Sequence, residues 1–299
     1  MSLLVIGTLA FDTIETPYDR REEALGGSAT YFAMASAFFS PVRLVGVVGT
    51  DFPDKVLSDL RGRGINTDGV EIADGKTFRW SGRYEADWNT RHTLDTQLNV
   101  FEHFDPKVPA GYKDSRYVFL ANAAPAIQMK ALEQCTERKF VMADTMNLWI
   151  DIARDELVAL LGKIDGLVLN DEEARMLSGE TNLFAAARKV LSMGPQFVVL
   201  KKGEHGAFLL GRDVHYALPA YPVENVTDPT GAGDSFAGGL MGYLAAVQNH
   251  DPATLRRAML YGTVTASFCV EGFSTEALGE TSRSAVEQRF NELHGIVSV

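Results

Sequence analysis

"DPTGAGDSFAGG", residues 228–239, runs straight into the apolar stretch Leu240-Met241-Gly242-Tyr243-Leu244. Gly231, Ala232 and Gly233 carry so little side chain that their backbone amides can lie close against a ligand. The segment that follows, Ser235 to Val247, reads as a helix. A glycine-rich turn opening a helix presents unsatisfied N–H groups and a positive dipole end, which is an anion site. The plainer alternative makes Asp234 a helix cap. Two familiar phosphate loops do not fit. There is no G-x-x-x-x-G-K-[ST] string, and Gly231-x-Gly233 is followed by Phe236 late in the chain, not by the third glycine of a dinucleotide fingerprint after an early strand. What remains is an amide-lined hole with a carboxylate at its rim. That pairing suits phosphoryl transfer to a hydroxyl, the amides holding developing charge while the Asp takes the proton.

Outward from this stretch, apolar runs recur at 3–11, 42–49, 117–122, 139–144, 166–170 and 197–203. Helical patterns lie between them at 28–39, 126–138, 183–193 and 255–270. Near-continuous apolar strands alternating with helices predict a three-layer α/β/α fold on a mostly parallel sheet. Ligands of such sheets bind beyond the carboxyl ends of the strands. Residues 77–104, "TFRWSGRYEADWNTRHTLDTQLNVFEHF", break the alternation: they are polar, aromatic and β-inclined. With about 12–17 they are expected to form a small β-sheet lid on a single domain spanning 1–299.

The bulk numbers narrow the function. A net charge of −11 argues against a general nucleic-acid surface or an anionic membrane patch. The opening "MSLLVIGTLAFDTI" has no cationic region, and its apolar run is too short to span a bilayer. Two distant cysteines, Cys135 and Cys269, fit a reducing cytoplasm better than a disulfide framework. The six histidines, at 92, 103, 205, 215, 250 and 294, show no metal-ligand spacing, which counts against a metal hydrolase.

"DPTGAGD" resembles the D-T-x-G-A-G-D signature of the ribokinase-like (PfkB) family of carbohydrate and nucleoside kinases, with Pro229 in place of the common Thr. Further similarities stand in the family's order: "GTLAFD" (7–12), "LGGSATYFAMA" (25–35), "VGVVGTDFPD" (45–54), "LNDEEARML" (169–177) and "KKGEHGAF" (201–208). The resemblance implies an ATP- and Mg²⁺-dependent kinase. It makes Asp234 the base and Gly231, Ala232 and Gly233 the anion hole. It places Asn170 and Glu173 at magnesium and the phosphates, Glu173 reaching the ion directly or through water, and Lys201, Gly203 and Gly206 along the nucleotide. Asp228 and Thr230 match a monovalent-cation site, for which K⁺ is the expected ion. The loop "CVEGFST" (269–275) offers Ser274 to close its shell.

On the acceptor side the resemblance implies Asp12, Gly26 and Gly27, with Tyr31 where sugar kinases often carry Asn. Tyr31 and Ala123 depart from ribose-phosphorylating relatives, and "DTMNLW" (144–149) departs from sugar-acid kinases. Arg79, with Trp80 and Arg83, is expected to reach over the acceptor or face solvent. Tyr31, Trp80 and Trp88 would also suit stacking on a nucleobase. A small sugar is the expected acceptor and a nucleoside the alternative; an inactive nucleotide sensor is the competing class. Relatives pair through the lid, so a homodimer is expected.

Overall fold

The computed structural model describes residues 3–298. In chain order the strands are β1 (Leu3–Ile6), β2 (Ala10–Glu15), β3 (Arg20–Gly26), β4 (Val42–Gly49), β5 (Ile65–Ala73), β6 (Phe78–Tyr84), β7 (Arg91–Gln97), β8 (Tyr117–Leu120), β9 (Phe140–Asp144), β10 (Gly166–Asn170), β11 (Phe197–Lys201), β12 (Ala207–Gly211) and β13 (His215–Leu218). The helices are α1 (Ser28–Ser36), α2 (Asp54–Gly62), α3 (Pro125–Glu133), α4 (Asn147–Ile152), α5 (Arg154–Leu161), α6 (Asp171–Ser178), α7 (Leu183–Leu191), α8 (Ala232–Val247), α9 (Pro252–Cys269), α10 (Glu276–Glu280) and α11 (Arg283–Val297).

The main sheet has nine strands in the order β13-β12-β11-β10-β9-β8-β1-β4-β5. It is parallel from β11 to β5, and β12 and β13 add antiparallel at one edge. Because side chains alternate across a strand, each central strand feeds two cores. Leu3 and Val5 of β1 pack with α1, α8 and α9, whereas Leu4 and Ile6 pack with α3, α5 and α7. Strands buried on both faces must be apolar at every position, which is why they were legible as continuous runs.

α8 lies between α1 and α9, and its glycines permit that closeness. A methyl group on Gly238 would come 2.4 Å from the Phe32 carbonyl oxygen, and one on Gly239 2.6 Å from that of Tyr261. No helix among the described residues is long and apolar enough to cross a membrane.

The second sheet is four-stranded, in the order β3-β2-β6-β7. It is larger than the lid expected from sequence, because β3 joins it. Arg20 to Glu23 are exposed and charged, and antiparallel pairing with β2 makes them strand. The expected end of the lid also moves. Residues 99–103 form a 3₁₀ turn whose Phe101, with Phe104, packs into the lower core of the main sheet. Edge strand β5 fell outside the apolar runs because the exposed polar residues Asn66, Asp68 and Glu71 interrupt it.

Candidate active site

Three adjacent parallel strands, β9, β10 and β11, end in Asp144, Asn170 and Lys201, so these polar side chains share the carboxyl edge of the sheet. Asn170 also caps α6. Its Oδ1 accepts the Glu173 amide at 2.8 Å and its own amide donates to Glu173 Oε2 at 2.7 Å, a reciprocal capping box. Lys201 Nζ stands 3.7 Å from Asp144 Oδ2. Burial alone would lower the Lys201 pKa, but the carboxylates of Asp144, Glu173 and Asp234 outweigh it and raise it. Burial pushes Glu173 up to about 7, against the pull of Lys201. Gly203 and Gly206, at φ 53° and 85°, turn the chain between β11 and β12 beside this cluster. Lys202 instead lies over the Phe208 ring.

Above that edge sits the start of α8. Gly231 is its N-cap, at φ 76°, and the Tyr31 ring fills the space where a Cβ would stand. Gly231 is required by its φ and by that ring, whereas a methyl on Gly233 would meet only the end of the Lys201 side chain, 2.7 Å from Nζ. The Ala232 amide donates to the Pro229 carbonyl at 3.2 Å. It is therefore not one of the free donors, a correction to the expected anion hole. Among the described residues, the amides of Gly231, Gly233 and Asp234 have no acceptor. Burial pushes the Asp234 carboxyl up to about 8; Asp144 adds to the shift and Lys201 opposes it.

Asp12 projects from β2 and is buried. Its carboxyl lies where a Gly26 side chain would be. Burial and the Asp228 charge push it up to about 7, while a hydrogen bond from the Gly27 amide and the charge of Arg91 work against them. Gly27, at φ 96°, caps α1. The Tyr31 hydroxyl is buried and has no hydrogen-bond partner. Asn122 lines the neighbouring strand end, held by Trp149 Nε1 at 3.0 Å, and Ala123 is buried in the lower core.

Arg79 does not join this group. It pairs with Phe11 across β2 and β6, so strand alternation sends it to the opposite face from Asp12. There its guanidinium covers the Phe11 ring and bonds Asp51 at 2.8 Å and Glu23 at 3.0 Å, anchoring the lid. The residue paired with Asp12 is Trp80, and Arg91 of β7 lies 5.6 Å from its ring. Trp88 packs on Tyr18, which is 80% exposed, away from the site. The turn between β6 and β7 crosses the cleft, Asn89 Nδ2 reaching Glu204 Oε1 at 3.3 Å beside Gly203. Asp144, Arg91 and Asn122 were not singled out from sequence. Asp144 and Asn122 had a signal, since each ends an apolar run; Arg91 had none.

The oxygens expected to hold a monovalent cation are engaged within the protein. Asp228 Oδ1 accepts the Thr230 amide at 2.8 Å and Oδ2 the Ser274 amide at 3.2 Å. The Thr230 carbonyl takes the Cys269 thiol at 3.5 Å, and Ser274 Oγ donates to the Leu25 carbonyl. These contacts hold the loop together without an added ion.

A carboxyl able to take a proton, set beside amides that await negative charge, equips a phosphotransferase for an alcohol acceptor. The chain belongs to the PfkB family of carbohydrate kinases, whose profile matches residues 2–281. A cytidine kinase of Thermococcus kodakarensis is 30% identical over 250 residues, covering 81% of this chain and 88% of that protein. A deoxyribokinase of Salmonella typhi is 35% identical over 293 residues, covering 94% and 90%. The fold is shared with a nucleoside kinase of Burkholderia thailandensis solved in complex with inosine. That match has a TM-score of 0.82 at 21% identity, over 98% of this chain and 99% of that one. The protein is an ATP-dependent kinase acting on a sugar or a nucleoside.

Proposed function

We propose that the chain phosphorylates a hydroxyl of a small sugar, with Asp234 as the base and the Gly231 and Gly233 amides as the anion hole. The observation that carries this reading is the half-buried Asp234 carboxyl in the first turn of α8, beside the free amides of Gly231 and Gly233 and pushed up to about 8. A carboxylate of that basicity is matched to accepting a hydroxyl proton near neutral pH. Asp12 accepts hydrogen bonds from the acceptor's hydroxyls and fixes which one faces Asp234. As the oxygen attacks, Asp234 takes its proton, and the helix-terminal amides meet the charge growing on the transferred group. Lys201, behind Gly233, adds a cation on the phosphate side. The lid lies across the cleft and limits the entry of water.

Among the described residues Glu173 Oε1 has no hydrogen bond, and magnesium is usually held by one or two carboxylates plus substrate phosphates. Glu173 and Asn170 therefore fit the Mg²⁺ of the nucleotide. When bound, that ion neutralises charge on the phosphate oxygens.

Trp80, on the Asp12 face of the lid, favours a second reading in which the acceptor sugar carries a nucleobase. We further propose a cytoplasmic homodimer paired through the lid; the two cysteines are free and buried, as a reducing compartment permits. The test is ADP release with deoxyribose, ribose, cytidine and inosine offered singly. ADP formed only when one of them is present supports the reading. ADP formed at the same rate without any acceptor overturns it.

A further inference from the structure

Asp228 is fully buried, and the two segments bonded to its carboxylate oxygens also hold the lid. Thr230 gives its amide to Oδ1 and its hydroxyl to the Tyr84 hydroxyl of β6, at 3.2 Å. Ser274 gives its amide to Oδ2 and its hydroxyl to the Leu25 carbonyl of β3. β3 and β6 flank β2, the strand that carries Asp12. Phe273, beside Ser274, packs with Ile14, Tyr84 and Trp80, so the lid's own small core includes a residue from the loop after α9. One carboxylate thus connects both neighbours of the Asp12 strand to the residue immediately before Gly231.

We propose that Asp228, Thr230, Ser274 and Tyr84 form a brace that couples the lid's grip on the acceptor to the geometry of the anion hole, in place of a monovalent cation. An ion at such a loop would act by fixing the backbone of Gly231 to Gly233. Here the residue before that backbone, Thr230, is held by the charge-assisted hydrogen bond of its amide to Asp228, and it follows Pro229, whose ring holds its own φ. Ser274 sits at φ 58°, a conformation a non-glycine residue keeps only where its surroundings hold it. The Asp228 and Leu25 bonds supply that hold. Coupling of this kind is reciprocal: an acceptor that secures the lid sets the amides, and a lid that loses its Thr230 contact leaves them less well aimed.

The proposal rests on the start of α8 being the active site, with Asp234 as its base and its amides as the anion hole, and a control separates the two. Were that assignment wrong, Asp234→Asn would keep turnover. If only the brace is wrong, Asp234→Asn is inactive while Tyr84→Phe runs at the wild-type rate.

Tyr84→Phe removes one hydroxyl and keeps the ring among Ile14 and Phe273. Thr230→Ala removes its partner and Thr230→Ser restores it. The expected result is a fall in kcat of about tenfold for Tyr84→Phe, one hydrogen bond's worth of transition-state alignment, with the KM for ATP within about twofold of wild type. Thr230→Ala should match it, the double variant should be no slower than either single one, and Thr230→Ser should recover most of the rate. Initial rates in K⁺, Na⁺ and a bulky organic cation at constant ionic strength should be equal. Wild-type kcat in Tyr84→Phe, losses that multiply in the double variant, or a rate that rises only with K⁺ would each overturn the brace.

Discussion

Asp234 shares one buried space with Asp144, Glu173 and Lys201, so the charge of each depends on the others, and removing one exposes the balance. Asp234→Asn should lower kcat by about 10²–10⁴-fold while ATP still binds; turnover near wild type in a steady-state assay would take Asp234 out of the chemistry. The same change should stabilise the fold. The carboxyl ionises near 8 when folded against 3.8 when unfolded, so between those values the folded chain binds the extra proton and wild-type stability falls as pH rises. The melting temperature of Asp234→Asn should therefore exceed wild type most above about pH 8, and the gap should close toward pH 4. A gap independent of pH would contradict the shift. Lys201→Met should act the other way, costing about 3–5 kcal/mol by leaving Asp144 buried without its cation. Adding Asp144→Asn should recover part of that loss in chemical denaturation, and strictly additive losses would show that the two side chains are not coupled. Asp234 and its glycines were legible in the sequence because they are adjacent in the chain. The partners that set its basicity were not, since Asp144 and Arg91 reach the site only through the sheet and the lid.

At the scale of the element, α8 has two demands on it, and the same twelve residues meet both. Its first turn must offer bare amides, and its middle must let α1 and α9 come close. The sequence announced the first demand through Gly231 and Gly233. The second was hidden, because a glycine at a helix crossing looks like any other glycine until the neighbouring backbones are placed. Intrinsic propensity favours Ala over Gly inside a helix by up to about 1 kcal/mol, so Gly239→Ala would stabilise an isolated α8. In the fold its methyl would meet Thr265 Oγ1 at 2.2 Å and the Tyr261 carbonyl at 2.6 Å. Overpacking of this kind costs about 1–3 kcal/mol and should win, because the obstacle includes backbone. Denaturant unfolding should show lower stability for Gly239→Ala, with kcat reduced as the start of α8 is pushed off the anion site. Raised stability would mean that the α8–α9 crossing yields easily. The lid was legible only in part for a related reason. β6 and β7 show as a break in the helix–strand rhythm, but β3 is half charge run, and only pairing with β2 makes it a strand.

Across the whole molecule the mostly parallel sheet was legible because its central strands are apolar at every position, whereas the order of its strands was not, and the lid remains the part whose surroundings the chain does not supply. Both outer strands of that sheet are open. β7 is exposed along its full length, and β3 is exposed from Arg20 to Glu23. An open edge offers unpaired N–H and C=O groups to another chain, and proteins that stay monomeric usually blunt such edges with charge. β3 is blunted in that way, with four consecutive charged residues, Arg20 to Glu23. β7 is blunted less, with charge only at Arg91 and Asp95 and a bulge at Leu94, which is 50% exposed. Pairing of lids in a homodimer should therefore run through β7, where apolar surface and free backbone coincide. Sedimentation equilibrium should give a dimer whose population rises with protein concentration. Leu94→Lys should shift it toward monomer by adding a cation to the edge while leaving the fold and its melting transition intact. Arg21→Ala, on the opposite edge, should leave the association constant unchanged. A wild-type chain that stays monomeric at every concentration would remove the dimer, and a dimer that survives Leu94→Lys but weakens with Arg21→Ala would move the interface to β3.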